Sequence, residues 1–354
     1  MWTQTLIRSS CVLAASFAAM AAPLDKSRIA SDAKWIVHID AEGLRKSGLG
    51  DYVMNDLVKP ALEEADELKN ANLTMNPSNI VSITAYGPAF DKGPEGVLMI
   101  STTANPRKDL DTVAGMFLAS AGTNSPFNLI EQEPYPLYSF GKTVFLAPTE
   151  HTLFVAKSKE QIDRAFRVSL GKEESLANNG GFQNFREPPN SFFFAAIADG
   201  FMGNAAIPAQ AEILKQATGG RLYLGEREKN LFVNLVFQGK DDMATTKIQQ
   251  VLQGIMAIIS LSQNDPEITQ LANATKIASE GRNVQVSLEY PSDKTVEKIK
   301  EASSEKPKEH RAKSKNKNKK NKSKKNPAPE EKPASTVDEQ PPSAEIEEKP
   351  KAEK

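Results

Sequence analysis

Ala33-Lys34-Trp35-Ile36-Val37-His38-Ile39-Asp40-Ala41-Glu42-Gly43-Leu44 reads as an apolar strand that runs out through a small, acidic and glycine-containing exit. About 157 positions later, Asn190-Ser191-Phe192-Phe193-Phe194-Ala195-Ala196-Ile197-Ala198-Asp199-Gly200-Phe201 repeats that pattern. A chain that carries one strand and its exit twice is expected to be a duplicated module, with one strand order used in both copies. In the first stretch Trp35, Val37 and Ile39 alternate. That alternation predicts a core-facing side for them and a less buried side for His38 and Asp40.

Outward from this strand, apolar spacing predicts helices over 48–59 and 61–70, separated by Pro60. Strands follow over 80–86 and 97–103, expected as antiparallel neighbours. Leu110, Val113, Ala114, Phe117 and Leu118 mark an amphipathic helix, and strands over 137–140, 143–147 and 152–156 form a meander. Ser158-Lys159-Glu160-Gln161 is a capping box that opens a closing helix burying Ile162, Ala165 and Phe166.

The second copy repeats the order. It has strands over 192–197, 221–225 and 231–237, then a helix carrying Ile248, Val251, Leu252, Ile255 and Ile259. A short helix from Asp265-Pro266, strands over 276–279 and 284–288, and a last helix capped by Ser292 complete it. The offset between copies shrinks to about 134 at the closing helices, which assigns the first copy some twenty extra residues, with 61–70 as their natural place. The apolar run 255–261 is too short to span a bilayer and is expected in the core. The predicted class is α+β: two modules, each a mainly antiparallel sheet with helices on one face.

The ends of the chain read differently. Residues 1–22 have the build of a signal peptide, with Arg8, an apolar stretch and Ala19-Met20-Ala21, so cleavage is expected near Ala21 or Ala22 and the protein is expected in the periplasm, cell envelope or medium. The lone cysteine, Cys11, would leave with the signal, which excludes disulfides and thiolate chemistry from the exported chain. The modules are expected over 23–177 and 191–302, with a linker at 178–190 and no membrane span in the exported chain.

Residues 303–354 are rich in Lys, Glu, Pro, Ser and Asn and are expected to be disordered. This tail has a net charge of about +5 against −1 for the whole chain, so the remainder is acidic by about six charges. Lys313, Lys315, Lys317, Lys319, Lys320, Lys322, Lys324 and Lys325 form an anion-attracting tract. Nucleic acid is the less favoured partner for it, because no aromatic side chain is interleaved for base stacking.

Chemistry-bearing motifs are sparse. No G-x-S-x-G elbow, H-E-x-x-H, phosphate-binding loop or G-x-G-x-x-G follows a predicted strand, and neither a cofactor nor a metal is expected. His38 with Asp40 is the most site-like pair, since two such groups on one strand face can orient a base or ligate a metal. Glu42 and Asp199, at matched places beside Gly43 and Gly200, are read as turn or helix-cap residues. Together with Asp40, they are the basis for a carboxylate-dependent hydrolase acting between the modules.

The leader, Ala33 to Asp40, the helix near 251–261 and Val284-Gln285-Val286-Ser287-Leu288 together resemble exported bacterial proteins of duplicated α+β build with no known activity. The resemblance implies duplication and export, and it assigns no activity to any residue. The expected function is an exported, non-enzymatic binding or envelope-associated protein of unknown partner, whether a protein or an envelope component, with the tail as an electrostatic tether. The rivals are the hydrolase and a nucleic-acid-associated protein using the Lys tract.

Overall fold

Twelve strands form one sheet in the order β11-β12-β10-β9-β8-β1-β2-β3-β7-β6-β5-β4. They are β1 (Trp35–Asp40), β2 (Ile80–Gly87), β3 (Val97–Thr102), β4 (Phe127–Glu131), β5 (Leu137–Phe140), β6 (Thr143–Thr149), β7 (Thr152–Ala156), β8 (Phe194–Asp199), β9 (Ala217–Arg227), β10 (Asn230–Gly239), β11 (Lys276–Glu280) and β12 (Asn283–Pro291). The computed structural model describes residues 23–60, 73–89, 95–121, 125–131, 135–178, 182, 192–200, 215–261 and 266–305. The predicted signal peptide, most of the linker, the helix at 61–70 and the tail beyond 305 lie outside these residues.

Every neighbouring pair is antiparallel. The protein is thus α+β with a large antiparallel sheet. The two copies share this one sheet, because β1 pairs directly with β8 and brings His38 opposite Ala195. From that central pair the registers run outward in step. Thr84, Met99 and Phe154 follow His38 on one side, while Tyr223, Asn234 and Ser287 follow Ala195 on the other. The separation between equivalent residues falls between the first and second strands of each copy and then barely changes. The first copy's extra length therefore lies between β1 and β2.

That interval contains α1 (Ala41–Arg45), α2 (Gly48–Tyr52) and a π-helical continuation, Val53–Val58. The remaining helices are α3 (Pro106–Ala121), α4 (Lys159–Ser169), α5 (Asp242–Ser260), α6 (Pro266–Ala274) and α7 (Ser292–Glu305). α3 and α5 follow equivalent strands, as do α4 and α7. The predicted capping box forms, with Gln161 N–H donating to Ser158 Oγ and Lys157 N–H to Gln161 Oε1.

The helices do not share one face. Residues of α3 cluster with Ile100, Leu153 and Val155, whereas residues of α4 cluster with Val97, Met99 and Phe154 from the other side of the same strands. Strands that are apolar on both sides need a cover on both sides, since each exposed face would forfeit about 25 cal/mol per Å² of apolar area.

The burial phase of β1 is also the reverse of the sequence expectation. Ile36, His38 and Asp40 are the buried set, and Trp35, Val37 and Ile39 are only partly buried. The segment 24–33 and α4 cover the former side, where Leu24, Ile29, Ala30 and Ala33 join Ile36. Polar partners rather than apolarity admit the other two residues. His38 Nδ1 lies 2.9 Å from Thr84 Oγ1, and Asp40 Oδ1 accepts from Gly43 N–H at 2.9 Å.

Three further differences concern boundaries. β4 has no counterpart in the sequence expectation, and β9 is longer than the stretch 221–225. α7 runs to Glu305, so regular structure reaches past residue 303, and Ser292 is its first residue rather than a residue before it. The run 255–261 is not a core segment: Ile255, Ile258 and Leu261 are 46, 72 and 78% exposed, while Met256 and Ile259 are only partly buried.

Candidate functional site

Asp40 ends β1 and caps α1, holding Gly43 so closely that a Cβ there would lie 2.5 Å from Asp40 Oδ2. The cap is therefore Asp40, whereas Glu42 lies inside the first turn of α1. Asp199 ends β8, and its N–H donates to Lys34 O at 2.8 Å. At the opposite end of the same strand pair, Asp40 N–H donates to Phe193 O. Glu42 and Asp199 are thus separated by the length of β1, about 20 Å at 3.3 Å per residue. Two carboxylates acting on one glycosidic bond stand within about 10 Å, so this pair does not form the proposed hydrolase site.

His38 is 1% exposed and Asp40 fully buried, side by side on one strand face. Beyond the contact with Thr84, the imidazole meets the Phe192 ring edge-on, with centroids 6.5 Å apart. Among the described residues no three His, Cys, Asp or Glu side chains gather as a metal site. Among the described residues His38 is bonded to Thr84 across the sheet, and Asp40 into the α1 turn.

His38 does form part of the floor of a cleft of about 570 Å³. The other floor residues include Ser82, Thr84, Met99 and Ser101, from β2 and β3. The wall is the N-terminal segment, including Asp25, Lys26 and Arg28. Asp25 is turned toward its own 3-10 turn, accepting from Ser27 N–H at 3.0 Å. Arg28 is half-buried, and that burial lowers its pKa from the ordinary guanidinium value, with Asp25 and Tyr86 acting in the opposite sense. Tyr86, 4% exposed, has a hydroxyl without a hydrogen-bond partner, and burial pushes its pKa up to about 12.

A second feature lies on the other sheet face. α5 buries Ala244, Thr245 and Ile248 in its first half, where Ile248 joins Phe237 and Val284. Its second half turns Val251, Ile255, Ile258 and Leu261 outward at helical spacing. The equivalent helix α3 shows the same trend more weakly, with Met116 and Leu118 42 and 62% exposed. No helix among the described residues is long and apolar enough to cross a membrane.

Sequence reasoning missed both features. Periodicity identified the apolar α5 residues without telling which side was covered, and Arg28 lies in a short segment with no motif. The tail lysines Lys313, Lys315, Lys317, Lys319, Lys320, Lys322, Lys324 and Lys325 lie outside the described residues.

No family model and no curated protein sequence matches the chain. Three crystal forms of TP0453 are similar in structure. Form IV has a TM-score of 0.44 and 13% identity, covering 79% of this chain and 97% of that one. Form III has a TM-score of 0.44 and 15% identity, covering 78% and 98%. Form I has a TM-score of 0.43 and 12% identity, covering 78% and 97%.

Proposed function

We propose that the chain is an exported, non-enzymatic envelope protein that attaches to an anionic lipid surface, using the bare end of α5 and the Lys tract. The observation that carries this reading is the outward row Val251, Ile255, Ile258 and Leu261 at 38, 46, 72 and 78% exposure. A contiguous apolar row of this kind marks a contact surface. Wall polymer and nucleic acid are polar and would not reward it, whereas a lipid interface does. The lysines between Lys313 and Lys325 supply the second of the two signals that stable peripheral attachment needs. An export signal over residues 1–22, as their composition suggests, would bring the chain to a compartment where such a surface is met.

Sedimentation with phosphatidylglycerol-containing vesicles tests this. Fully withdrawing an isoleucine from water contributes about 1.5–3 kcal/mol, and Ile255 and Ile258 have about half and three-quarters of that to give. Ile255→Asp with Ile258→Asp should therefore lower partition about twentyfold or more while the chain still unfolds cooperatively. Truncation after residue 305, which leaves α7 whole, should remove the salt-sensitive part of binding only. Partition of the double variant equal to that of the unaltered chain would sink the apolar contact. An unchanged salt response on truncation would remove the tether.

A further inference from the structure

We propose that the cleft beneath the N-terminal segment binds a small organic anion, with its carboxylate or phosphate on Arg28 and its body on the Ser82–Ser101 hydroxyls. Neither the vesicle reading nor α5 enters this argument, so each proposal can fail alone.

Arg28 is the first reason. Its guanidinium has five donors, yet it makes a single long side-chain bond, Nη2 to Thr152 Oγ1 at 3.4 Å. No carboxylate among the described residues forms an ion pair with it, and the nearby Asp25 is engaged with Ser27. A cation drawn part-way out of water without an ion-pair partner is a cost to the folded chain, and a bound anion would offset it through paired, charge-assisted bonds.

The floor is the second reason. Ser82 and Ser101 face each other across β2 and β3, both partly buried, and among the described residues neither hydroxyl has a hydrogen-bond partner. Thr84, two residues along, is held by His38 at 2.9 Å, which fixes the floor beside them. A sheet face that is apolar over α4 thus turns polar where the cleft opens. Met99 and Leu24, 4 and 5% exposed, provide a short apolar patch against which a carbon skeleton can lie.

Size decides the class of ligand. About 570 Å³ far exceeds an inorganic ion and falls within the range of small-molecule sites. One guanidinium beside hydroxyls and a small apolar patch suits a single acidic group on a hydroxylated or amide-bearing skeleton.

Calorimetric titration of the full chain with glycerate, glycerol 3-phosphate and glycerol tests this. At least one of the two anions should bind with a millimolar or tighter constant, and glycerol should give no heat. Which of the two binds distinguishes carboxylate from phosphate. Arg28→Gln should weaken binding tenfold or more and Arg28→Lys less. Ser101→Val, which leaves the charge in place, should weaken it several-fold. The Lys tract is unaltered in all three variants, so their differences report the cleft alone. Absence of heat with both anions at 10 mM, equal affinity for glycerol, or full affinity in both Arg28→Gln and Ser101→Val would overturn the proposal.

Discussion

His38 and Ala195 meet at the centre of the sheet and hold equivalent places in its two halves, yet their surroundings differ. On the first side, α4 buries Ile162, Ala165 and Val168 at 0, 1 and 0% exposure. On the second, α7 occupies the corresponding place with Val296 partly buried and Ile299 37% exposed. What the first half has in addition is the N-terminal segment. Ser31 N–H donates to Glu174 O, Leu176 N–H donates to Ile29 O, and Asp32 pairs with Arg164 at 2.7 Å. Among the described residues, one strand order therefore accepts two different covers, and this cleft lies where the N-terminal segment crosses the sheet.

The largest expected effect tests whether stability is as unequal as burial. Ile162→Ala removes a fully buried side chain and should cost about 2–5 kcal/mol. Val296→Ala at the equivalent place in α7 should cost less than about 1.5 kcal/mol, because its neighbours already admit water. Urea unfolding of both variants makes the comparison, and equal losses would mean that α7 is covered as well as α4.

How far this was legible in the sequence follows from the same contrast. The echo of the two strands, the capping box at Ser158 and most strands were readable because alternation, helical spacing and cap chemistry are local. The pairing of β1 with β8 into one sheet was not, since nothing in either strand names its neighbour. His38 and Asp40 are the polar pair of β1, and alternation alone puts them on the less buried side, the reverse of what the structure has. Trp35, Val37 and Ile39 form the more apolar set, and only a tertiary partner such as Thr84 makes the other side admissible. For the same reason an apolar α5 looked like core: its spacing suits a buried face, but beyond Leu252 only Met256 and Ile259 are partly covered, while Ile255 and Ile258 are exposed. Arg28 had no signal at all, because an unpaired guanidinium is a statement about what is absent around it.

Alkaline pH sharpens the comparison from another direction. Tyr86 stands between Arg28, Arg164 and Asp32, near enough for their charges to act on it. The equivalent position in the second half is Gly225, next but one after Tyr223, so Tyr86 has no tyrosine at its matched place there. Burial raises the Tyr86 pKa to about 12 from 10.0. The folded chain therefore keeps this proton while the unfolded chain loses it. Its contribution is fully present below about pH 10 and is lost as pH rises toward 12, by about 2–3 kcal/mol. Tyr138 is raised in the same sense by burial and by its bond to Asp111, adding to the loss. Tyr86→Phe should be neutral or slightly stabilising at pH 7, where it removes a buried hydroxyl without a partner, and should lessen the alkaline loss. A variant that lost as much as the unaltered chain between pH 10 and 12 would place the titration elsewhere.

The smallest expected effect concerns the turn that follows β1. Asp40 caps α1, while the equivalent position in the second half is Ile197, 2% exposed. Asp40→Ala should cost about 0.5–2 kcal/mol through loss of the bond to Gly43 N–H. Asparagine accepts the same bond and caps helices as well as aspartate does, so Asp40→Asn should stay close to the unaltered chain. Thermal unfolding of the two variants distinguishes a geometric role from an electrostatic one. An asparagine as costly as the alanine would mean that the negative charge itself holds the turn, and the contrast with Ile197 would then be one of electrostatics rather than of capping.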